Sequence, residues 1–324
     1  MSQPLFTIAI PTYNRPVFLR ESLRSATLQT YPNLEILVCD NCSTDDTREV
    51  VKSFGDSRIR YVKNSSNIGA QANFALAVES GRGQYFSWLQ DDDLIVSDFA
   101  ERAVEVMQLH DAHTYLGTAI YSPTVQSLHE PQLYCPPIAM DWISGDVQRV
   151  SAATMLHLSL VASVAIPPVI AFERERLYRS GKSLRDSNFP LFTERSLLCE
   201  TSACGHTVAD PRLCGIFRQH TQQASAEWCA EKNRLDREWN LMATYLDTLA
   251  DTADFDATEQ VSHCLESIPQ KTLRNWLTAS QKWPTNLGLA CSMRRALVEA
   301  GKLRGVEAKP RGIKAAIARI RKNF

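Results

Sequence analysis

The chain has 324 residues, 44% of them hydrophobic and 22% charged, with a formal net charge of −1. A chain of this length buries a sizeable core as one large domain or two ordinary ones, and the composition is that of a water-soluble globular protein. The near-neutral charge excludes a whole-chain basic field, so nucleic acid is not an expected partner. Nine cysteines, odd in number and scattered along the chain, do not make the dense framework of a small secreted domain. The first residues, MSQPLFTIAIP, lack the basic and long apolar regions of a signal peptide. The most apolar stretch, residues 158–172, is shorter than a bilayer span and broken by Pro167 and Pro168. A cytoplasmic protein is expected.

Over the first 110 residues short apolar, β-branched runs alternate with segments of helical period, the order of βαβ units in a mostly parallel sheet. Strands are predicted at residues 6–10, 35–39, 59–62 and 84–89, and helices at 17–29, 45–54, 70–80 and 97–110. Each strand runs into polar residues: PTYNR, DNCSTDD, KNSSNIG and QDDD in turn. Ligands of open α/β sheets bind beyond the carboxyl ends of the strands, so four polar clusters are expected along one rim. Residues 115–220 are less regular and punctuated by proline, an extension of the sheet that shapes the second half of a cleft. Past Gln223 the pattern becomes helical, at 224–250, 257–268, 270–282 and 287–302. The tail, residues 309–324, carries six basic residues and no acid, with Ile313, Ile317, Ile320 and Phe324 at helical spacing. Such a helix either lies on an anionic membrane surface or packs as a solvated terminus.

The chemistry is concentrated in the polar clusters. PTYNR is not a Gly-x-Gly-x-x-Gly turn, and the chain has no lysine-bearing phosphate loop, His-Glu-x-x-His helix or Gly-x-Ser-x-Gly elbow. Dehydrogenase, P-loop and hydrolase readings lose ground. Asp91, Asp92 and Asp93 follow an apolar strand, where like charges raise one another's pKa unless compensated. A hard divalent cation, Mn²⁺ or Mg²⁺, suits such oxygen ligands and fills its remaining positions with water and phosphate. The alternative is a solvated turn with acids at a helix N-terminus. Ser43 and Asp46 have capping-box spacing, which leaves Asp40 at its strand end to accept a hydrogen bond from a nucleobase or ribose. Cys39 and Cys42 have redox spacing, but Cys39 ends a strand where that motif opens a helix.

The ordered set IAIPTYNRPVFLRESLRSATLQTYPNLEILVCDNCSTDDT and NIGAQANFALAVESGRGQYFSWLQDDD resembles the family 2 glycosyltransferases of the glycosyltransferase-A fold, closely over residues 5–110 and more loosely to His220. The resemblance implies an α/β, Rossmann-like fold with a mixed, mostly parallel central sheet. Residues 1–222 would be the catalytic domain, with a nucleotide-sugar half (1–110) and an acceptor half (111–222), followed by a helical region at 223–324. It implies an inverting transfer from a nucleotide-diphosphate sugar, UDP above all, to a saccharide or lipid-linked saccharide of cell-surface polysaccharide or lipopolysaccharide assembly, with Mn²⁺ or Mg²⁺ as cofactor. Pro11, Thr12, Tyr13 and Asn14 match the first nucleotide-contacting loop, with Tyr13 against the base. Asp40 matches the base-contacting aspartate, and Asn67, Gly69 and Asn73 border the nucleotide. QDDD matches the metal-binding Asp-x-Asp region with Gln90 in place of its first acid, which points to Asp92 as the metal ligand, supported by Asp93, and leaves Asp91 on the nucleotide side. Glu194, in FTERSLLCE, falls where the family's general base lies, although Thr193 replaces the neighbouring acid, and Glu200, Asp186 and Glu173 compete with it for that role. Arg218 and His220 match an Arg-x-His segment that would contact the diphosphate or the metal. A sugar nucleotidyltransferase would carry a Gly- and Arg-rich loop where PTYNR stands. A non-catalytic sugar- or nucleotide-binding module of the same fold is the other reading kept open by Thr193.

Overall fold

The computed structural model describes residues 3–122, 146–150, 169–180, 197–198, 201–202, 205–218 and 220. The chain divides into two compact units, Met1–Ser151 with Ala162–Gln223, and Ala152–Val161 with Ala224–Phe324. All described residues belong to the first. The four helices predicted beyond Gln223 and the basic tail lie outside the described residues.

β1 (Phe6–Thr12), β2 (Leu34–Asp40), β3 (Ile59–Lys63) and β4 (Tyr85–Trp88) form a parallel block in the order β3-β2-β1-β4. Every residue of β1 and β2 is buried, as continuous apolar runs require when a parallel strand is covered on both faces. Three crossover helices join these strands: α1 (Pro16–Thr27), α2 (Thr47–Ser53) and α3 (Ala70–Ser80). Arg15 caps α1 and Pro16 begins it, where a missing amide hydrogen costs nothing. Leu19, Leu23 and Ala26 turn one α1 stripe into the core. Gly69, at φ 85°, turns the chain into α3 in the left-handed region that side chains avoid.

Beyond β4 the sheet continues with β5 (Leu94–Ile95), α4 (Phe99–Leu109), β6 (Thr114–Ser122), β7 (Gln148–Val150), β8 (Ile170–Glu173), α5 (Arg174–Ser180) and β9 (Thr207–Arg218). The strand order runs β4-β8-β6-β9-β5, with β7 on β9. β4–β8, β6–β8, β5–β9 and β7–β9 are antiparallel, and β6–β9 is parallel. The sheet is therefore mixed, and the irregular region does extend it. Phe6, Phe99 and Tyr115 meet edge to face at centroid distances of 6.1 Å, joining the two halves through one core.

One local expectation is overturned. Ser43 does not cap α2: its hydroxyl accepts the Asn14 amide at 2.9 Å. Asp45 Oδ1 instead accepts the Thr47 amide and hydroxyl, at 3.1 and 2.6 Å. The tertiary partner, 29 residues away, outcompetes the local one.

Candidate active site

The acidic turn is pinned at both ends. Leu89 donates its amide to Ala9 at 2.8 Å, the turn closes through Asp93 N to Gln90 O at 3.1 Å, and β5 then pairs with Gly215 and Ile216 of β9. The four residues between cannot swing into water: Asp91, Asp92 and Asp93 are 6%, 7% and 0% exposed. Asp91 accepts the Thr12 hydroxyl at 2.8 Å and one Arg15 nitrogen at 3.4 Å. The same Arg15 nitrogen lies 3.0 Å from Asp92 Oδ2, which also faces His220 Nε2 at 3.1 Å. Asp93 accepts the Arg218 amide at 3.0 Å, tying the turn to β9. The Arg218 guanidinium, 1% exposed, bonds the Asp92 carbonyl and the Glu21 carboxylate.

Burial raises Asp91 to about 6, reinforced by the neighbouring Asp92 charge and opposed by Arg15 and Thr12. Burial first, then Asp92, pushes Asp93 well above the usual carboxylate range. Two guanidiniums therefore compensate the cluster only in part.

Helix α1 supplies a polar face to this turn. Ser22 Oγ donates to Gln90 O at 2.9 Å, Ser25 Oγ accepts the Ile95 amide at 3.3 Å, and Gln29 bonds Val96 O at 2.6 Å and the Ala100 amide at 3.0 Å. Phe18, one turn earlier, stacks on His220 at 4.2 Å and 21°, with the Arg218 guanidinium 5.3 Å from its ring centre. Spacings of three and four residues place Phe18, Ser22 and Ser25 on one helix face, and Gln29 continues the row just past the helix end.

A second cluster lies at the ends of β2 and β3. Asp40 is fully buried; it accepts the Ser43 amide at 2.7 Å and the Tyr61 hydroxyl. Burial and this carboxylate push the Tyr61 hydroxyl far above its ordinary pKa. Four asparagines form a neutral frame beside it. Asn41 Nδ2 donates to Asn67 Oδ1 at 2.8 Å, while Asn41 Oδ1 accepts Asn64 Nδ2 at 3.1 Å and the Ile68 amide at 3.0 Å. Asn67 Oδ1 also accepts the Gly69 amide at 2.9 Å, and Asn73 bridges Asn64 Nδ2 (3.1 Å) and the Cys39 carbonyl (2.9 Å). Asn14 links this frame to the loop after β1, accepting the Thr44 amide at 2.8 Å.

Thr12, Asp91, Asp92, Asp93, Arg218 and His220 thus come together, and Asp40, Asn67, Gly69 and Asn73 gather at the neighbouring strand ends. Pro11 and Thr12 lie in register with Cys39 and Asp40, and Tyr13 is exposed beside them. Glu194 lies outside the described residues. Sequence reasoning missed Arg15, Phe18, Glu21 and Asn41 as parts of this architecture. Serines and a glutamine repeating at helical spacing on α1 were the available signal for its polar face.

The family model described as Glycosyl transferase family 2 matches residues 7–139. The match spans the acidic turn and the loops after β1, β2 and β3. Among relatives, it is 35% identical over 104 residues to the UDP-Glc:α-D-GlcNAc-diphosphoundecaprenol β-1,3-glucosyltransferase WfaP of Escherichia coli, covering 32% of this chain and 41% of that one. It spans about half the length of curated glycosyltransferases that it matches over 175 residues. Its fold is shared with S. aureus TarS 1–349 in complex with UDP-GlcNAc (TM-score 0.67, 14% identity, 98% of this chain and 89% of that chain). The mannosyltransferase PcManGT of Pyrobaculum calidifontis, in complex with GDP-Man and Mn²⁺, gives a TM-score of 0.57 at 16% identity, covering 99% and 85%. The mixed sheet is that of the glycosyltransferase-A fold.

The acidic turn fits the divalent cation that the resemblance implies. Among the described residues, the carboxylates of Glu21, Asp91, Asp92 and Asp93 meet the guanidiniums of Arg15 and Arg218, two positive charges short when all are ionised. Asp93 Oδ2 is buried with no hydrogen-bond partner among them. No group of three or more His, Cys, Asp or Glu side chains among the described residues forms a metal cage by itself. A cation that takes one or two carboxylates and completes its shell with phosphate and water needs none.

The raised carboxylates have a measurable consequence. A carboxyl whose folded pKa lies above its unfolded value near 3.8 stabilises the fold when protonated and costs stability as pH rises through the folded pKa. Asp93→Asn keeps an acceptor for the Arg218 amide and removes the charge. Without divalent ions, its melting temperature is expected to exceed wild type by roughly 3–6 °C above pH 7, with the gap closing toward pH 4. Parallel profiles in a fluorescence melting series would refute the assignment.

Proposed function

We propose that the chain is a metal-dependent, inverting glycosyltransferase that moves a sugar from a nucleoside-diphosphate sugar, UDP-linked by preference, to an acceptor hydroxyl. The observation that carries this reading is the buried acidic turn, whose carboxylates outnumber its guanidiniums among the described residues, beside the Asp40 and asparagine cluster on the same rim of strand ends. UDP-GlcNAc in TarS and GDP-Man with Mn²⁺ in PcManGT support the donor class.

The loop of Pro11 to Asn14 receives the nucleoside, with Tyr13 against the base. Asp40 keeps lone pairs beyond the two that Ser43 and Tyr61 engage, and a carboxylate accepts about four hydrogen bonds in all. Asn67, Gly69 and Asn73 border the nucleotide. Asp92, with His220 and Asp93 behind it, would hold the Mn²⁺ or Mg²⁺, and Asp91 and Arg218 fix the ground around it. When bound, such an ion supplies Lewis-acid stabilisation of charge on the departing diphosphate. Glu194 takes the acceptor's hydroxyl proton as the oxygen attacks the anomeric carbon, and the bond from that carbon to the diphosphate breaks, releasing the nucleoside diphosphate. A single displacement inverts the anomeric centre.

The acceptor is a saccharide or lipid-linked saccharide of surface polysaccharide assembly, a class to which the diphosphoundecaprenol acceptor in WfaP's name belongs. Among the described residues no helix is long and apolar enough to cross a membrane. The basic tail at residues 309–324 would instead hold the protein peripherally at the cytoplasmic membrane face.

In an assay of nucleotide release from UDP-, dTDP- and GDP-sugars with Mn²⁺ and acceptor, Asp92→Asn should lose metal-dependent nucleotide binding by at least about 10-fold. Glu194→Gln should keep donor binding and lose turnover by roughly 10²- to 10⁴-fold. Wild-type turnover by the glutamine variant would remove Glu194 from the mechanism. For the tail, truncation after Ala308 should abolish sedimentation with anionic vesicles while sparing donor hydrolysis; unchanged sedimentation would discard the anchor.

A further inference from the structure

Strand β3 grips the loop after β2 with two side chains. Tyr61 and Lys63, two residues apart, lie on one face of the strand. The Tyr61 hydroxyl donates to Asp40 Oδ2, and the Lys63 ammonium donates to the Ser43 carbonyl at 2.6 Å. Ser43 is thereby engaged at its amide, hydroxyl and carbonyl: the amide donates to Asp40 Oδ1 at 2.7 Å and the hydroxyl accepts the Asn14 amide at 2.9 Å. Lys63 fixes where the loop lies, whereas Tyr61 acts on the carboxylate itself.

Asp40 has no exposed surface, so protein donors rather than bulk water decide what its carboxylate offers. Each oxygen receives a hydrogen, from the Ser43 amide on Oδ1 and from the Tyr61 hydroxyl on Oδ2. The Tyr61 hydrogen is secure, because burial first and then the Asp40 carboxylate hold the phenol far above its ordinary pKa. A carboxylate held in this way offers lone pairs, and no hydrogen, to the base it meets. The ring N–H of uracil, thymine or guanine satisfies it. Cytosine in the pose of uracil sets a bare ring nitrogen against a lone pair, and is accepted only if Asp40 turns or carries a proton, both of which the Tyr61 hydroxyl on Oδ2 opposes.

We propose that Tyr61 is a positioning residue for nucleobase specificity: by donating to Asp40 it keeps that carboxylate an acceptor on both oxygens and restricts the donor to nucleotides whose base presents a ring N–H there. This inference rests on the reading of Asp40 as the group that meets the base. It assigns the choice of nucleotide to a β3 side chain that need not touch the nucleotide.

The test is calorimetric binding of UDP and CDP to the full chain with Mn²⁺, compared as the ratio of the two affinities, which an unfolded fraction of protein leaves unchanged. Wild type should favour UDP by at least about 10-fold. Tyr61→Phe should shrink that ratio about 5- to 10-fold, chiefly by weakening UDP. Lys63→Met loosens the same loop and leaves both donors on Asp40, so it should weaken the two nucleotides alike and keep the ratio. A wild-type ratio in Tyr61→Phe overturns the role of Tyr61 and leaves the donor site standing. An equal fall in the ratio with Lys63→Met makes the effect one of loop shape, and overturns that role as well. Equal binding of UDP and CDP by the wild type removes Asp40 as the reader and this inference with it. A wild-type protein that binds none of UDP, GDP and dTDP overturns the nucleotide-sugar reading itself.

Discussion

Three adjacent carboxylates, held out of water at the end of a central strand, set the terms for everything around them. β4 and β5 are both sheet strands, so the turn between them cannot relax outward, and the cost of burial shows in the raised Asp91 and Asp93. The surrounding residues answer that cost. Thr12 ends β1 and Arg15 follows in the loop after it, Arg218 and His220 come from the end of β9, and Phe18 and Glu21 from α1. Two stretches distant in sequence, Thr12 to Glu21 and Arg218 to His220, therefore converge because one turn needs positive charge and hydrogen-bond donors. Among the described residues the carboxylates still outnumber the guanidiniums, and the proposed metal site rests on that excess.

The neighbouring cluster is built on the opposite principle. Asn41, Asn64, Asn67 and Asn73 join the loops after β2 and β3 through side-chain amides, and the charged groups beside them are Asp40 and Lys63, whose ammonium donates to the Ser43 carbonyl at 2.6 Å. A neutral, hydrogen-bonded frame suits a nucleoside, and a charge-deficient acidic turn suits a cation with its phosphates. The two meet through Thr12, at the end of β1, and Asn14, in the loop that follows: Thr12 donates its hydroxyl to Asp91 and its carbonyl accepts the Asn41 amide, and Asn14 reaches Ser43 and Thr44.

Much of this was legible in the sequence. The runs of β1 and β2 read as strands because both faces are buried and no polar alternation interrupts them, and α3 has the bounds that its pattern predicts. The acidic turn and Asp40 were visible as polar residues at strand ends. What could not be read was partnership. Arg15 lies 76 residues from Asp91, and Glu21 lies 197 from Arg218; such pairs follow from the way strands order themselves in the sheet. Ser43 shows the same limit in reverse, since its spacing fits a capping box while its hydroxyl serves Asn14. Glu194 and the C-terminal helices lie outside the described residues and are read from the sequence alone.

The central claim is that the acidic turn becomes a donor site when a divalent ion makes up its missing charge. The most direct measurement is the melting temperature of the full chain with UDP, with Mn²⁺, and with both. The account predicts that UDP in the presence of chelator shifts the transition little, and that UDP with Mn²⁺ raises it by more than the sum of the separate shifts. A shift with UDP that is the same in chelator as in Mn²⁺ would contradict it.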